Sequence, residues 1–177
     1  NTAELNRWRE EVTRYLAGLS DGESREVQAA QQADILFVDG RVAMARNEFG
    51  EAVAKLTEAR KMLSRDAELD SVLALSHFGL AKRYFEHGLY GNSQSHIEEA
   101  LAVSPRFIPA RYLLAELLST GKDKEAARAQ YEEILRQDAA SIDAYLRIGE
   151  IFDEAYQHET ALAHYQRAVG LRKTDPK

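Results

Sequence analysis

Five histidines, His77, His87, His96, His158 and His164, are the side chains in this sequence best suited to hold a metal ion or move a proton. Helical metal sites need ligands about one turn apart on one face, and these five lack that i, i+4 spacing. They read as solvated surface residues, and no metal site is expected. Carboxylates are abundant, as in Glu98-Glu99 and Glu132-Glu133. Neighbours in sequence do not face each other on a helix, so these pairs read as solvated surface and not as an acid–base couple. With no cysteine, disulfides, thiolate metal sites and cysteine nucleophiles are excluded. No phosphate-binding loop, dinucleotide fingerprint, H-E-x-x-H or G-x-S-x-G occurs, so neither catalysis nor a cofactor is expected.

The elements that would carry any site are helices. Only three prolines and ten glycines interrupt 177 residues, 45% are hydrophobic, and Ala, Leu, Glu, Arg and Gln dominate. No convincing β-alternating run is present. The formal charge of −6 argues against a nucleic-acid footprint, which needs clustered Lys and Arg facing phosphates. No apolar stretch approaches the roughly 18 residues of a membrane span, and no signal-peptide pattern opens the chain. Beginning with Asn rather than Met, it reads as an excised piece or a mature form. Both the cytoplasm and the periplasm suit a chain without cysteine.

Self-similarity organises the sequence. From Ile142 to Asp175, Tyr145, Ile148, Gly149 and Phe152 are followed by Ala161, Tyr165 and Ala168. One period of about 34 residues earlier, Leu114, Ala115 and Leu118 are followed by Ala127, Tyr131 and Ile134. Another step back gives Leu80, Ala81 and Tyr84, then Ser93, Ile97, Ala100 and Pro105. A fourth copy, from Ala33 to Asp66, has Gly40, Phe49-Gly50-Glu51-Ala52, Leu56 and Ala59. Two antiparallel helices approach closely only where side chains are small at the crossing. Gly40, Ala81, Ala115 and Gly149 hold that place on the first helices, and Ala52, Ser93, Ala127 and Ala161 on the second.

These residues resemble the tetratricopeptide repeat family over about residues 33–175. The resemblance implies an all-α fold, an α-solenoid of helix-turn-helix repeats wound into a right-handed superhelix. The expected organisation is an N-terminal helical segment at 1–32, then repeats at 33–66, 74–107, 108–141 and 142–175. A seven-residue insertion at 67–73, about two helical turns, can lengthen the following helix while nearly keeping its buried face. Asp39 stands where leucine is usual, Ile134 where a small residue is usual, and Ser64, Ala139 and Lys173 where proline is usual. His87-Gly88 and Thr120-Gly121 are expected to turn two hairpins through positive φ at glycine, with Asn47 doing the same in the first. The hairpin at Tyr156-Gln157-His158 has no such residue. Ser104-Pro105 closes one repeat, and Pro109 can open the next helix.

The resemblance also implies a concave groove lined by first helices. The matching positions are Phe37, Phe78, Tyr112 and Leu146 in one row and Arg41, Lys82, Glu116 and Glu150 in a second, with Met44, Phe85, Ser119 and Asp153 in a third. An apolar row flanked by charges that change from basic to acidic suits an oriented amphipathic ligand. The opposite possibility is that Phe37, Phe78 and Tyr112 are core, or lie under the N-terminal helix. Phe37, Arg41 and Gly79, with Pro109 and Leu113, replace the Lys, Asn and basic residues of the family's carboxylate clamp, which disfavours chaperone-tail binding.

Within Glu4 to Leu19, Trp8, Val12, Tyr15, Leu16 and Leu19 form an apolar stripe at helical spacing, ended by Ser20-Asp21-Gly22. If another seven-residue insertion is allowed before Ala33, Tyr15 and Gly18 match second-helix positions, so the segment reads as a half-repeat, a cap, or a helix lying in the groove. The last repeat ends at Leu171-Arg172-Lys173 without a polar covering helix, which predicts further repeats or self-association there; the tail from Lys173 to Lys177 is polar and expected to fray. The resulting expectation is a non-catalytic scaffold that binds a protein or peptide partner in the groove, as a segment of a larger bacterial assembly or secretion protein. Its rival is a structural spacer or self-association module whose groove is filled by its own N-terminal helix.

Overall fold

The computed structural model describes residues 2–17, 25–63 and 66–174, all helix and short turns. Its helices are α1 (Thr2–Ala17), α2 (Arg25–Ala45), α3 (Phe49–Met62), α4 (Ala67–Glu86), α5 (Tyr90–Val103), α6 (Ile108–Thr120), α7 (Lys124–Gln137), α8 (Ile142–Glu154) and α9 (His158–Thr174). The chain divides into two compact units, Asn1–Pro105 and Arg106–Lys177. In the first, α2 pairs with α3 and α4 with α5, α3 packs on α4, and α1 lies against α2. In the second, α6 pairs with α7, α8 with α9, and α7 packs on α8. This is an all-α helical repeat of the solenoid class. No helix among the described residues is long and apolar enough to cross a membrane.

Each second helix buries positions i, i+4 and i+7, one stripe of a 3.6-residue period. Ala52, Leu56 and Ala59 do so on α3, Ser93, Ile97 and Ala100 on α5, and Ala127, Tyr131 and Ile134 on α7. On α9, Ala161 and Ala168 are buried with Tyr165 half-buried between them. The facing small residues Gly40, Ala81, Ala115 and Gly149 are all buried. A Cβ at Gly40 would stand 2.5 Å from Leu56 Cγ, and one at Gly149 would collide with the Tyr165 ring. Absence of a side chain therefore lets these helices touch.

The residues Ala67–Leu73 form the first two turns of α4, which runs 20 residues against 13 for α6 and for α8. Leu69 joins a buried cluster with Leu36 and Ala59, and Leu73 joins Ala43, Ala52 and Leu56. Asp66 caps the helix by accepting from the backbone N–H groups of Glu68 (2.8 Å) and Leu69 (2.9 Å), an interaction typically worth about 1 kcal/mol.

The four hairpins among the described residues turn alike, with a correction to the sequence expectation. Positive φ falls on Asn47 (60°), Gly88 (72°), Lys122 (65°) and Tyr156 (60°). Gly121 does not supply it: its φ is −72°. At each turn the left-handed residue donates three residues back and its successor five back, as in Gly88→Phe85 and Leu89→Tyr84 or Tyr156→Asp153 and Gln157→Phe152. This paired closure satisfies the last carbonyls of the first helix. It therefore holds even Lys and Tyr in a conformation that costs L-residues roughly 1–2 kcal/mol. Tyr15 as a side chain, Gly18 to Asp21 with Gly22, Ser64 and the tail beyond Thr174 lie outside the described residues.

Candidate functional site

In the first unit, α2 presents Phe37 half-buried against both clusters, so its ring is partly core. The Arg41 guanidinium lies over that ring, 5.6 Å from its centroid, and donates to Glu68 Oε1 at 3.0 Å. Both residues line an open cavity of about 620 Å³ with Leu5 and Trp8 of α1, Asp34 and Val38 of α2, and Leu63, Asp66 and Leu69. α1 is fastened beside it by an ion pair, Arg9 Nε to Asp39 Oδ1 at 2.6 Å. That contact accounts for an aspartate where the repeat usually carries leucine. Burial, and then the nearby Asp66 charge, raise the Asp34 carboxyl above its usual range. α1 packs on α2 and on no other described helix.

The remaining predicted positions of this unit diverge. Met44 packs against the Ala43, Ala52, Leu56 and Leu73 cluster. Phe78 is half-buried on α4. Lys82 is exposed, 3.9 Å from Glu86 one turn on, and the Phe85 ring meets Tyr90 across the hairpin at 5.6 Å.

In the second unit, Tyr112, Glu116, Ser119 and Glu150 surround one cavity of about 210 Å³, with Lys124, Tyr131, Arg147, Ile151 and Glu154. Tyr112, Leu146 and Glu150 share another of about 390 Å³ with Asp143 and Arg147. The Tyr112 ring lies 6.0 Å from Tyr131, and its hydroxyl pairs with Ser141 Oγ at 2.6 Å. Burial raises the Tyr112 hydroxyl pKa, with the Ser141 hydrogen bond opposing it. Leu146 is exposed, and Asp153 pairs with His158 at 2.6 Å instead of entering either cavity.

Several charges of the second row are paired. Arg41 has Glu68, Lys82 lies 3.9 Å from Glu86, and Glu150 accepts from Arg147 at 3.0 Å. Exposed pairs of this kind are worth at most about 1 kcal/mol. They replace the simple basic-to-acidic run seen in the sequence with local neutralisation. The sequence reading missed Arg147, which sits three residues before Glu150 on one helical face. It also missed Glu68 and Asp66, which flank or lie in the insertion, and Tyr131, read as core alone.

The histidines need a correction too. His77 is only 7% exposed, and its Nδ1 lies 3.1 Å from His96 Nδ1. One ring must donate and the other accept, so the pair is satisfied with one neutral tautomer of each kind. His96 also stacks on Tyr84 at 5.5 Å. Burial lowers the pKa of both. Among the described residues no group of three or more His, Asp or Glu side chains is placed to hold a metal.

Stacked helix pairs with open cavities on their first-helix faces define a helical-repeat protein of the kind that serves as a protein-interaction scaffold. The tetratricopeptide repeat family model matches residues 78–142 and 123–176, more than half of the chain, and the chain belongs to that family. Among curated proteins it is similar to a tetratricopeptide repeat and J domain-containing co-chaperone of Cryptococcus neoformans, 28% identical over 105 residues. It is also similar to the human protein O-mannosyl-transferase TMTC1, 27% identical over 99 residues. The matches cover 59% and 55% of this chain but 17% and 11% of those proteins, so the chain spans only a small part of their length. Among solved structures, MamA superposes with TM-score 0.59 at 14% identity over 97% of this chain and 91% of that one. YrrB, described as a TPR protein with an unusual peptide-binding site, gives 0.56 at 16% over 97% and 79%. At these identities the likeness is one of fold.

Proposed function

We propose that the chain is a non-catalytic scaffold that holds a segment of a partner protein against the faces of its first helices. In the first unit the contact residues would be Phe37, Arg41, Met44, Phe78, Lys82 and Phe85. In the second they would be Tyr112, Glu116, Leu146 and Glu150. The observation that supports this best is that open cavities occur on these faces in both units, around Phe37 with Arg41 and around Tyr112 with Leu146. The setting proposed is a larger assembly protein. The sequence reading made it bacterial, whereas the two curated relatives are fungal and human.

The test is recovery of partners from lysate with wild-type protein and with Phe78→Ala, Tyr112→Ala, Lys82→Glu and Glu116→Lys, each first shown to melt cooperatively. Loss in the aromatic variants and altered salt dependence in the charge reversals are expected, since anchors in pockets dominate affinity and rim charges set steering. Unchanged recovery with all four removes the first-helix faces from consideration.

A second reading, a spacer or self-association module, draws on two observations. Leu5 and Trp8 of α1 line the same cavity as Phe37, and α9 leaves Leu162 (55%) and Val169 (52%) exposed. Removal of the residues before Ser20 separates the readings: gain of peptide binding speaks for a covering helix, and loss of folding for a half-repeat.

A further inference from the structure

The cavity between α1 and α2 is walled by Leu5, Trp8, Phe37, Val38 and Leu69, large enough at about 620 Å³ to take one or two side chains. Its charges are unbalanced. Arg41 is the only cation among the described lining residues, and Glu68 already accepts its hydrogen bond. Glu4, Asp34 and Asp66 also line the cavity, and among the described residues none has an ion-pair partner. Asp66 spends its Oδ1 on the α4 cap, and its charge and that of Asp34 repel one another across the opening.

An apolar, aromatic-walled cavity lined by three carboxylates and, among the described residues, one cation that is already paired suits a positive charge carried on an apolar stem. Such a group gains attraction from all three carboxylates while its methylenes and an adjoining apolar side chain cover Trp8 and Phe37. Among the described helices the wall is held by α2 alone, through packing and the Arg9–Asp39 ion pair, and Trp8 stays 42% exposed.

From this geometry we infer that the α1–α2 cavity is a docking site for a partner segment that presents Lys or Arg beside an apolar anchor. The inference rests on the partner-holding function proposed above and specifies the chemistry of the partner at this end. α1 forms one jaw of the site, and Asp34, Asp66 and Glu4 select the charge.

Trp8 is the only tryptophan, so its emission reports occupancy directly. The full chain is titrated with two synthetic amphipathic peptides that share one leucine face, one otherwise Lys-bearing and one otherwise Glu-bearing, with calorimetry in parallel. The Lys peptide is expected to shift Trp8 emission and to bind about tenfold more tightly at low salt than the Glu peptide, a difference that shrinks as salt screens the carboxylates. Asp34→Asn with Glu4→Gln is expected to remove most of that preference. Equal binding of the two peptides overturns the charge assignment but leaves partner holding intact. Calorimetric binding without a Trp8 response overturns the location. Binding of butylammonium as tight as that of the peptide makes this a small-amine site and overturns the docking assignment. Failure of both peptides overturns the inference, while the Phe78 and Tyr112 variants judge the scaffold function independently.

Discussion

The same crossing is built from different chemistry in the two units. Where His77 on α4 faces His96 on α5 at 3.1 Å, the next repeat has Arg111 donating to Gln130 at 3.2 Å, and the last has Tyr145 beside His164 with ring centroids 6.1 Å apart. A few positions away the requirement is strict, and only Gly, Ala or Ser occurs. The half-buried crossing accepts any pair that satisfies itself, whereas the closest approach accepts only what fits. The α4–α5 pair of the first unit is polar at both places, since Ser93 is fully buried there with no hydrogen-bond partner for its hydroxyl. The second has Ala127 and Ala161 in that register and fills the space left by Gly149 with the Tyr165 ring.

Steric substitutions should break this contrast most strongly. Gly149→Ala forces the Tyr165 ring aside, and overpacking of this kind costs about 1–3 kcal/mol. Ala81→Gly, the reciprocal change in the first unit, opens no clash and should cost about 1 kcal/mol through helix propensity. Urea unfolding of the two variants ranks them, and equal midpoints would mean that Tyr165 relaxes freely.

The turns come next. Gly88→Ala places a Cβ in the left-handed region and should destabilise by about 1 kcal/mol, whereas Tyr156→Gly relieves that strain and should stabilise by about 0.5 kcal/mol after the entropic cost of glycine. Tyr156 is 85% exposed, so little packing is lost. A lower melting temperature for Tyr156→Gly would show that its ring, edge-on to His158, outweighs the strain.

Ser93→Ala gives the first unit the residue used at that register in the other repeats. Removing a buried hydroxyl that has no partner should stabilise by about 1 kcal/mol or less. Destabilisation would mean that the hydroxyl is hydrogen-bonded in solution.

The helical period and the small-residue register were legible because both repeat every 34 residues or so and small residues tolerate no substitute at a close crossing. The turns were legible only in part. Gly121 looked like the turning residue because glycine adopts positive φ most easily, yet the hydrogen-bond closure fixes the turn by its distance from the helix end and puts positive φ on Lys122. Phe37 and Arg41 could be placed on one face from spacing. Their partner Glu68 could not, because it sits in an insertion whose register no other repeat shares. His77 looked like a surface residue because histidines on two neighbouring helices have no sequence signature when each needs only one partner.

The smallest effect near neutral pH, and the one that tests the crossing directly, is the titration of that histidine pair. The groups facing His77 are His96, itself stacked on Tyr84, and Glu99 from α5, while Arg60 and Lys61 of α3 line the same cavity of about 400 Å³. Burial first, and then the His96 charge, hold His77 below its ordinary value, and Glu99 opposes them without winning. The unfolded chain therefore binds the proton more readily than the folded one. The associated stability is fully present above the unfolded pKa of about 6.5 and is lost as pH falls through the folded values. His164 is lowered as well, chiefly by burial, but it faces Tyr145 and Phe152 rather than a second imidazole. The drop in melting temperature between pH 7 and pH 5 should therefore shrink more in His77→Tyr, which copies the second unit, than in His164→Phe. Equal changes in the two variants would mean that burial alone sets these values, and that the facing imidazoles of the first unit add nothing to the cost of protonation.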